Sequence, residues 1–138
     1  MEEEKLAGTP KKLVHTERIA IRWGDMDAMG HVNNTVYFRY MEQARIAWFE
    51  SLVPRADAWG EISIVIVNAS CNFRRPINYP GTVDVKVFAG APGGASVQTF
   101  YELNIRDELY ADGAATVVFL NREHKPLRIP DAIRSLMQ

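Results

Sequence analysis

Two carboxylates, a glycine, a histidine and two asparagines fall within one short run, Asp25-Met26-Asp27-Ala28-Met29-Gly30-His31-Val32-Asn33-Asn34. The run lies between a strand-like stretch and a long aromatic-rich segment of helical periodicity. A helix that starts there presents unpaired backbone N–H groups and a partial positive charge. Such an end can polarise a carbonyl. A carboxylate beside it can attack that carbonyl or aim a water at it. The run reads as a catalytic loop, and the residue types leave nucleophile and general base equally open.

The members differ in what they can do. Asp27 suits chemistry, and by type alone it suits a turn or a cap as well. Asp25 is expected to hold the loop by hydrogen bonds, because nothing nearby completes an oxygen cage for a metal around Asp-x-Asp. Gly30 suits a turn with positive φ or a close approach of substrate. Asn33 or Asn34 is a good N-cap. The Asn34 N–H is a candidate oxyanion donor, a role typically worth ~3–4 kcal/mol of barrier. His31 could exchange protons, but the simpler expectation is a histidine that fixes the turn. His15 and His124 show no ligand spacing with it, so no zinc site is expected. There is no Gly-x-Ser-x-Gly elbow. Cys71 is expected to be a buried small hydrophobe.

The elements that must position these groups follow from pattern. The chain has 138 residues, 47% hydrophobic and 24% charged, with a net charge of -1. That length suits one domain: a loose tail over 1–12 and a single folded unit over 13–138. The balanced charge argues against a nucleic-acid partner. A single cysteine excludes an internal disulfide and fits a reducing compartment. Met1 to Lys12 has no apolar core of a secretory signal, and no run reaches the ~18 apolar residues of a membrane span. A cytoplasmic location is the expectation.

Leu13–Trp23 alternates as a strand. The helix is expected over Thr35–Leu52, about 27 Å long. Its stripe is Tyr37, Tyr40 or Met41, Ala44, Trp48 and Leu52, widened by Val36, Phe38, Ile46, Ala47 and Phe49. Only Arg39, Glu42, Gln43, Arg45 and Glu50 remain polar, so the helix should be enclosed by protein. Pro54 and Gly60 mark its exit loop. Strands follow over Ile62–Phe73, Thr82–Ala89, Ser96–Arg106 and Leu109–Asn121, with a bulge or kink at Asp112-Gly113 and a short helix from Asp131. Strand, long helix and a meander of strands make an α+β domain whose antiparallel sheet curves around the helix.

The loop run, with Tyr37, Arg39, Tyr40, Glu42 and Arg45 after it, resembles the hotdog-fold acyl-CoA thioesterases of the 4-hydroxybenzoyl-CoA thioesterase-like group. Phe73-Arg74-Arg75-Pro76 and Pro80-Gly81 extend the resemblance, which covers about Val14 to Phe119. It implies a five-stranded antiparallel sheet wrapped around one long central helix. It implies a homodimer joined sheet edge to sheet edge with the site at the interface, and a homotetramer built from two such pairs. It assigns the catalytic carboxylate to Asp27 and the carbonyl-polarising N–H to Asn34. Coenzyme A then belongs to the substrate, and no separate cofactor is needed.

The remaining residues follow from that reading. Arg74 and Arg75 are candidates for the coenzyme A phosphates. The turn over 90–95, Gly-Ala-Pro-Gly-Gly-Ala, lacks the basic residues of the type enzyme, so glycine N–H groups with Ser96 are the alternative there. Glu42 and Arg45 are expected to form an i, i+3 ion pair, with Glu42 a second candidate near the pocket. Two rivals remain: a hotdog module that binds acyl-CoA or acyl-carrier protein without catalysis, and a hotdog 3-hydroxyacyl-thioester dehydratase. Neither explains a carboxylate beside a helix cap as directly.

Overall fold

The computed structural model describes residues 10–53 and 61–138. Pro54, Gly60 and residues 1–9 of the tail lie outside the described residues. The elements are β1 (Lys12–Ala20), a 3-10 turn (Trp23–Asp25), α1 (Asn34–Leu52), β2 (Ser63–Phe73), β3 (Thr82–Ala89), β4 (Ser96–Ile105), β5 (Glu108–Leu120) and α2 (Asp131–Leu136). Five strands form one sheet in the order β1-β3-β4-β5-β2. Every pairing is antiparallel.

Period-2 alternation sets which face of the sheet meets the helix. Val83, Val85, Val87 and Ala89 of β3 are buried, as are Val97, Thr99, Tyr101 and Leu103 of β4. From β5 come Ala111, Ala115, Val117 and Phe119. These strands share one core with Tyr37, Tyr40, Met41, Ala44, Trp48 and Phe49 of α1. The helix has therefore lost most of its surface to the sheet, as its wide apolar stripe requires. Two positions depart from the stripe. Phe38 is exposed, resting edge-on against Phe73 at 6.3 Å. Arg45, read as polar surface, is buried with 8% of its area exposed.

A simple meander is not what forms. β3, β4 and β5 run as one, but β2 pairs with β5 and not with β3. The segment over 74–81 must then carry the chain from one edge of the sheet back toward β1. It passes the start of α1, where the Tyr37 hydroxyl donates to the Arg75 carbonyl (3.1 Å) and accepts from the Ile77 N–H (3.2 Å). β1 and β2 are left as the sheet's edges. β2 presents Val65, Val67 and Phe73 at 42%, 58% and 43% exposure, an unusually apolar edge.

The bulge expected at Asp112-Gly113 is absent. Asp112 and Gly113 pair in register with Asn72 and Cys71 on one side and with Glu102 and Tyr101 on the other. The register shifts instead on β2 between Ile66 and Asn68, and on the β4–β5 ladder between Leu103 and Asn104. Glycine is needed at 113 for closeness. A Cβ there would lie 2.6 Å from Met41 Sδ and 2.7 Å from the Ser70 carbonyl oxygen. One of these neighbours is backbone, so the helix can approach the sheet here only over a bare Cα. Gly113→Ala should lower stability by about 1–3 kcal/mol, measured as a shift of the urea midpoint at unchanged m-value.

Candidate active site

The loop before α1 is a small hairpin fastened at its base. Met26 and Val32 form a β-bridge. The Asp27 N–H donates to the His31 carbonyl at 2.8 Å, and the Gly30 N–H to the Asp27 carbonyl at 3.1 Å. Gly30 has φ +84°, the left-handed region that glycine enters without strain. Asp27 is exposed at the hairpin, with one carboxylate oxygen accepting from the Met29 N–H at 2.9 Å. Its other oxygen takes no hydrogen bond among the described residues.

Asp25 has the opposite environment. It is buried, and its Oδ2 accepts from the Tyr40 hydroxyl (2.8 Å) and the Arg22 N–H (2.9 Å). Its carbonyl accepts from the Asn33 N–H at 3.0 Å. One residue thus joins the 3-10 turn, the second turn of α1 and the residue that caps α1. Burial, reinforced by the Asp25 carboxylate, pushes the Tyr40 phenol well above its ordinary range, so Tyr40 remains a hydrogen-bond donor.

Asn33 is the N-cap of α1. Its Oδ1 accepts from the Thr35 N–H (2.9 Å) and the Thr35 hydroxyl (2.7 Å). The Val36 N–H donates to the Asn33 carbonyl at 2.9 Å. Of the N–H groups at this end, that of Asn34 has no partner among the described residues. The cap therefore leaves one donor at the positive end of the helix available, directly after the hairpin that carries Asp27. His31 is exposed, with Nδ1 2.9 Å from Asn78 Oδ1, and the Val32 N–H donates to the Ile77 carbonyl at 2.8 Å. Both contacts tie the hairpin to the β2–β3 connection.

The other sequence-derived residues are spread more widely. Arg74 pairs with Asp112, and Arg75 pairs with Glu108 while lying 5.3 Å from the centre of the Tyr110 ring. Both flank the connection that Tyr37 holds against the helix start. Ser96 opens β4 beyond the β3–β4 turn, at the far end of the eight-residue β3 and so roughly 25 Å along the sheet from the hairpin. Cys71 is half-buried, and burial pushes its thiol up to about 12, which keeps it protonated and unreactive. Among the described residues no group of three or more His, Cys, Asp or Glu side chains could hold a metal ion. No described helix is long and apolar enough to cross a membrane.

Glu42 and Arg45 do not form the expected ion pair among the described residues. Glu42 points to solvent, while Arg45 turns inward and donates from Nη1 to the Tyr101 hydroxyl at 3.1 Å. Both line a groove of about 270 Å³ along α1, with Phe38, Met41, Ala69 and Ala115. Arg45 was the residue that polarity concealed. It stands four residues after Met41 and eight after Tyr37, on the stripe that the sheet covers.

A helix enclosed by a five-stranded antiparallel sheet, with a carboxylate-bearing hairpin at its capped end, defines a hotdog-fold protein equipped to act on a carbonyl. The chain belongs to the thioesterase-like superfamily, whose model matches residues 21–136, and thioester hydrolysis is its class of chemistry. Its structure is similar to that of PA2801 of Pseudomonas aeruginosa, described as a candidate thioesterase, with 36% identity, TM-score 0.82, and 90% and 98% of the two chains covered. A thioesterase from Thermus thermophilus, crystallised with coenzyme A and zinc, is 29% identical with TM-score 0.79 over 91% of this chain and 92% of that one. The chloroplastic acyl-acyl carrier protein thioesterase ATL3 of Arabidopsis thaliana is 26% identical over 127 residues, 88% of this chain and 66% of ATL3.

Asp25→Ala should unfasten the hairpin. It strands the Tyr40 hydroxyl and the Arg22 N–H, each a group whose loss of partner costs about 1–3 kcal/mol. Hydrogen exchange of the Asn33 and Asn34 amides should accelerate more than exchange in β3.

Proposed function

We propose that the protein is an acyl-CoA thioesterase, converting acyl-CoA and water to free acid and coenzyme A. The observation that carries this reading is the unpartnered Asn34 N–H at the capped end of α1, next to the hairpin that exposes Asp27. A thioester carbonyl placed at that N–H gains a donor aimed at the oxygen where negative charge develops. Asp27 then attacks the carbonyl carbon, or takes a proton from the water that does. Direct attack expels the coenzyme A thiolate and leaves an Asp27–acyl anhydride that water then hydrolyses, whereas attack by the activated water expels the thiolate directly. Both routes end with the acid, the free Asp27 carboxylate and the protonated thiol. Gly30 supports the turn and allows the acyl group close to the backbone. His31 and Asp25 serve as positioning residues, through Asn78 and through Tyr40.

Arg74 and Arg75 are the proposed contacts for the phosphates of coenzyme A. Their guanidiniums exchange Asp112 and Glu108 for phosphate oxygens as substrate docks. The coenzyme A in the Thermus relative favours this carrier over the acyl-carrier protein named for ATL3. We further propose that two copies pair through β2, whose exposed Val65 and Val67 would otherwise leave a long apolar edge open. A homodimer of this kind would close the groove along α1, and a homotetramer would follow from pairing two dimers. The enzyme would act in the cytoplasm, without a separate cofactor.

Thiol release from a panel of acyl-CoAs tests the reaction. The wild type should release thiol, and Asp27→Asn should be slower by at least about a hundredfold at unchanged circular dichroism. Binding of acyl-CoA without thiol release would make the protein a binding module. Loss of water from a 3-hydroxyacyl-CoA would make it a dehydratase. Equal rates for wild type and Asp27→Asn would remove Asp27 from the chemistry. Val67→Lys should convert the dimer to monomer in analytical ultracentrifugation, with activity falling in parallel.

A further inference from the structure

Arg45 is a cation nine-tenths buried, and among the described residues no carboxylate forms an ion pair with it. Only 8% of its area is exposed, and its sole hydrogen bond among the described residues goes to Tyr101. Counting protons fixes the direction of the hydrogen bonds beyond it. The Thr99 hydroxyl donates to the Ala115 carbonyl at 2.8 Å, so it can only accept from the Tyr101 hydroxyl, 2.7 Å away. The Tyr101 oxygen is therefore free to accept from Arg45. Three buried side chains form a relay running from guanidinium to backbone, with nothing in it to neutralise charge. A guanidinium has five N–H donors, and one is used. The rest open on the groove along α1, because no Arg45 nitrogen is both buried and unsatisfied.

Enclosing a charge without a counter-ion is costly, and a carboxylate entering the groove would offset that cost. The groove indicates what would meet it. Its lining includes Met41, Ala69 and Ala115, with Phe38 one turn after Asn34 and the exposed Arg39 beside it. Arg45 lies eleven residues after Asn34, roughly 16 Å along the helix axis, and its side chain leans back toward the helix start. An apolar chain of medium length with its thioester at Asn34 would bring its far end to the guanidinium. Glu42 lines the same groove but is exposed, so water screens it more than it screens the nine-tenths enclosed Arg45.

We propose that Arg45, held by Tyr101, is a specificity-determining residue for acyl groups that end in a carboxylate, making medium-chain dicarboxylic acid monothioesters the preferred substrates. This rests on the acyl-CoA thioesterase reading and names the acyl class for the same site.

Two paired measurements test it. The first compares kcat/KM for octanedioyl-CoA and octanoyl-CoA in wild type, Arg45→Lys and Arg45→Met. The wild type should favour the dicarboxylic thioester by about tenfold to a hundredfold, the value of one charge-assisted contact. Arg45→Lys should retain part of the preference, and Arg45→Met should lose or invert it, read as the ratio of the two kcat/KM values within each variant. The second measures binding of free octanedioate and octanoate by calorimetry, which needs no turnover. Octanedioate should bind wild type more tightly, and Arg45→Met should bind the two alike. Equal preference in wild type and Arg45→Met overturns the proposal, whatever the rates. Absence of hydrolysis with octanedioate binding intact overturns the thioesterase reading and leaves the anion site standing. If Arg45→Met instead dissociates the dimer and Glu42→Arg combined with Arg45→Glu restores it, the guanidinium pairs with a second copy and the proposal fails.

Discussion

Between the 3-10 turn and the second turn of α1 lies a carboxylate from which water is almost excluded. Asp25 answers a hydroxyl from Tyr40 and an amide from Arg22, and its carbonyl answers the amide of Asn33. Three separate pieces of chain are fastened at one residue, and each fastening is local to the site. A buried carboxylate is tolerable because the Tyr40 hydroxyl and the Arg22 N–H both donate to it, with the Arg22 guanidinium 3.7 Å away. The consequence reaches further than the loop. With Asn33 held by Asp25, the cap of α1 sits where its side chain satisfies Thr35 and leaves Asn34 unengaged. The available donor at the helix start results from how the cap is held, as much as from the helix itself.

The second constraint is enclosure. A helix surrounded by a curved sheet needs an apolar surface over more than one face, and the sheet needs somewhere to let it in. Gly113 provides that entry beneath Met41. The same closeness explains why Arg45 is buried although it is charged. Once Met41 rests on β5, the residue one turn later is mostly enclosed on the same face, and Tyr101 supplies its one hydrogen-bond acceptor among the described residues. Packing at Gly113 and the charge in the groove are two results of a single approach of helix to sheet.

Much of this was legible in the residues. Period-2 runs such as Thr82–Ala89 coincide with strands because alternation reports burial on one face directly. The loop before α1 was legible because cap chemistry and a glycine at a positive-φ turn leave local signatures. The order of strands was not. β2 pairs with β5, with β3 and β4 lying between them in the chain, and nothing local in Ile-Val-Ile-Val distinguishes that partner from the nearer β3. Gly113 looked like a bulge because a glycine in a strand reads the same whether the backbone kinks or a neighbour comes close. Arg45 was hidden by its type. Its spacing from Tyr37 and Met41 placed it on the buried stripe, but a charge is ordinarily assigned to solvent.

The hairpin and the groove lie along one line of α1, and the physics at its two ends is alike in sign. At Asn34 the helix dipole and an N–H without a partner among the described residues favour negative charge. At Arg45 a largely enclosed guanidinium favours negative charge that is already formed. Between them the walls combine apolar Phe38, Met41, Ala69 and Ala115 with the exposed side chains of Arg39 and Glu42 at the rim. Such a groove discriminates by its ends more than by its walls. Walls of this kind distinguish one methylene from the next by only about 1–3 kcal/mol, whereas a site built to hold a polar group rejects its absence far more strongly. The groove also runs beside β2, the open apolar edge. Whatever covers that edge would remove water from the groove as well, strengthening both electrostatic ends at once, since charge interactions gain most where the dielectric is lowest.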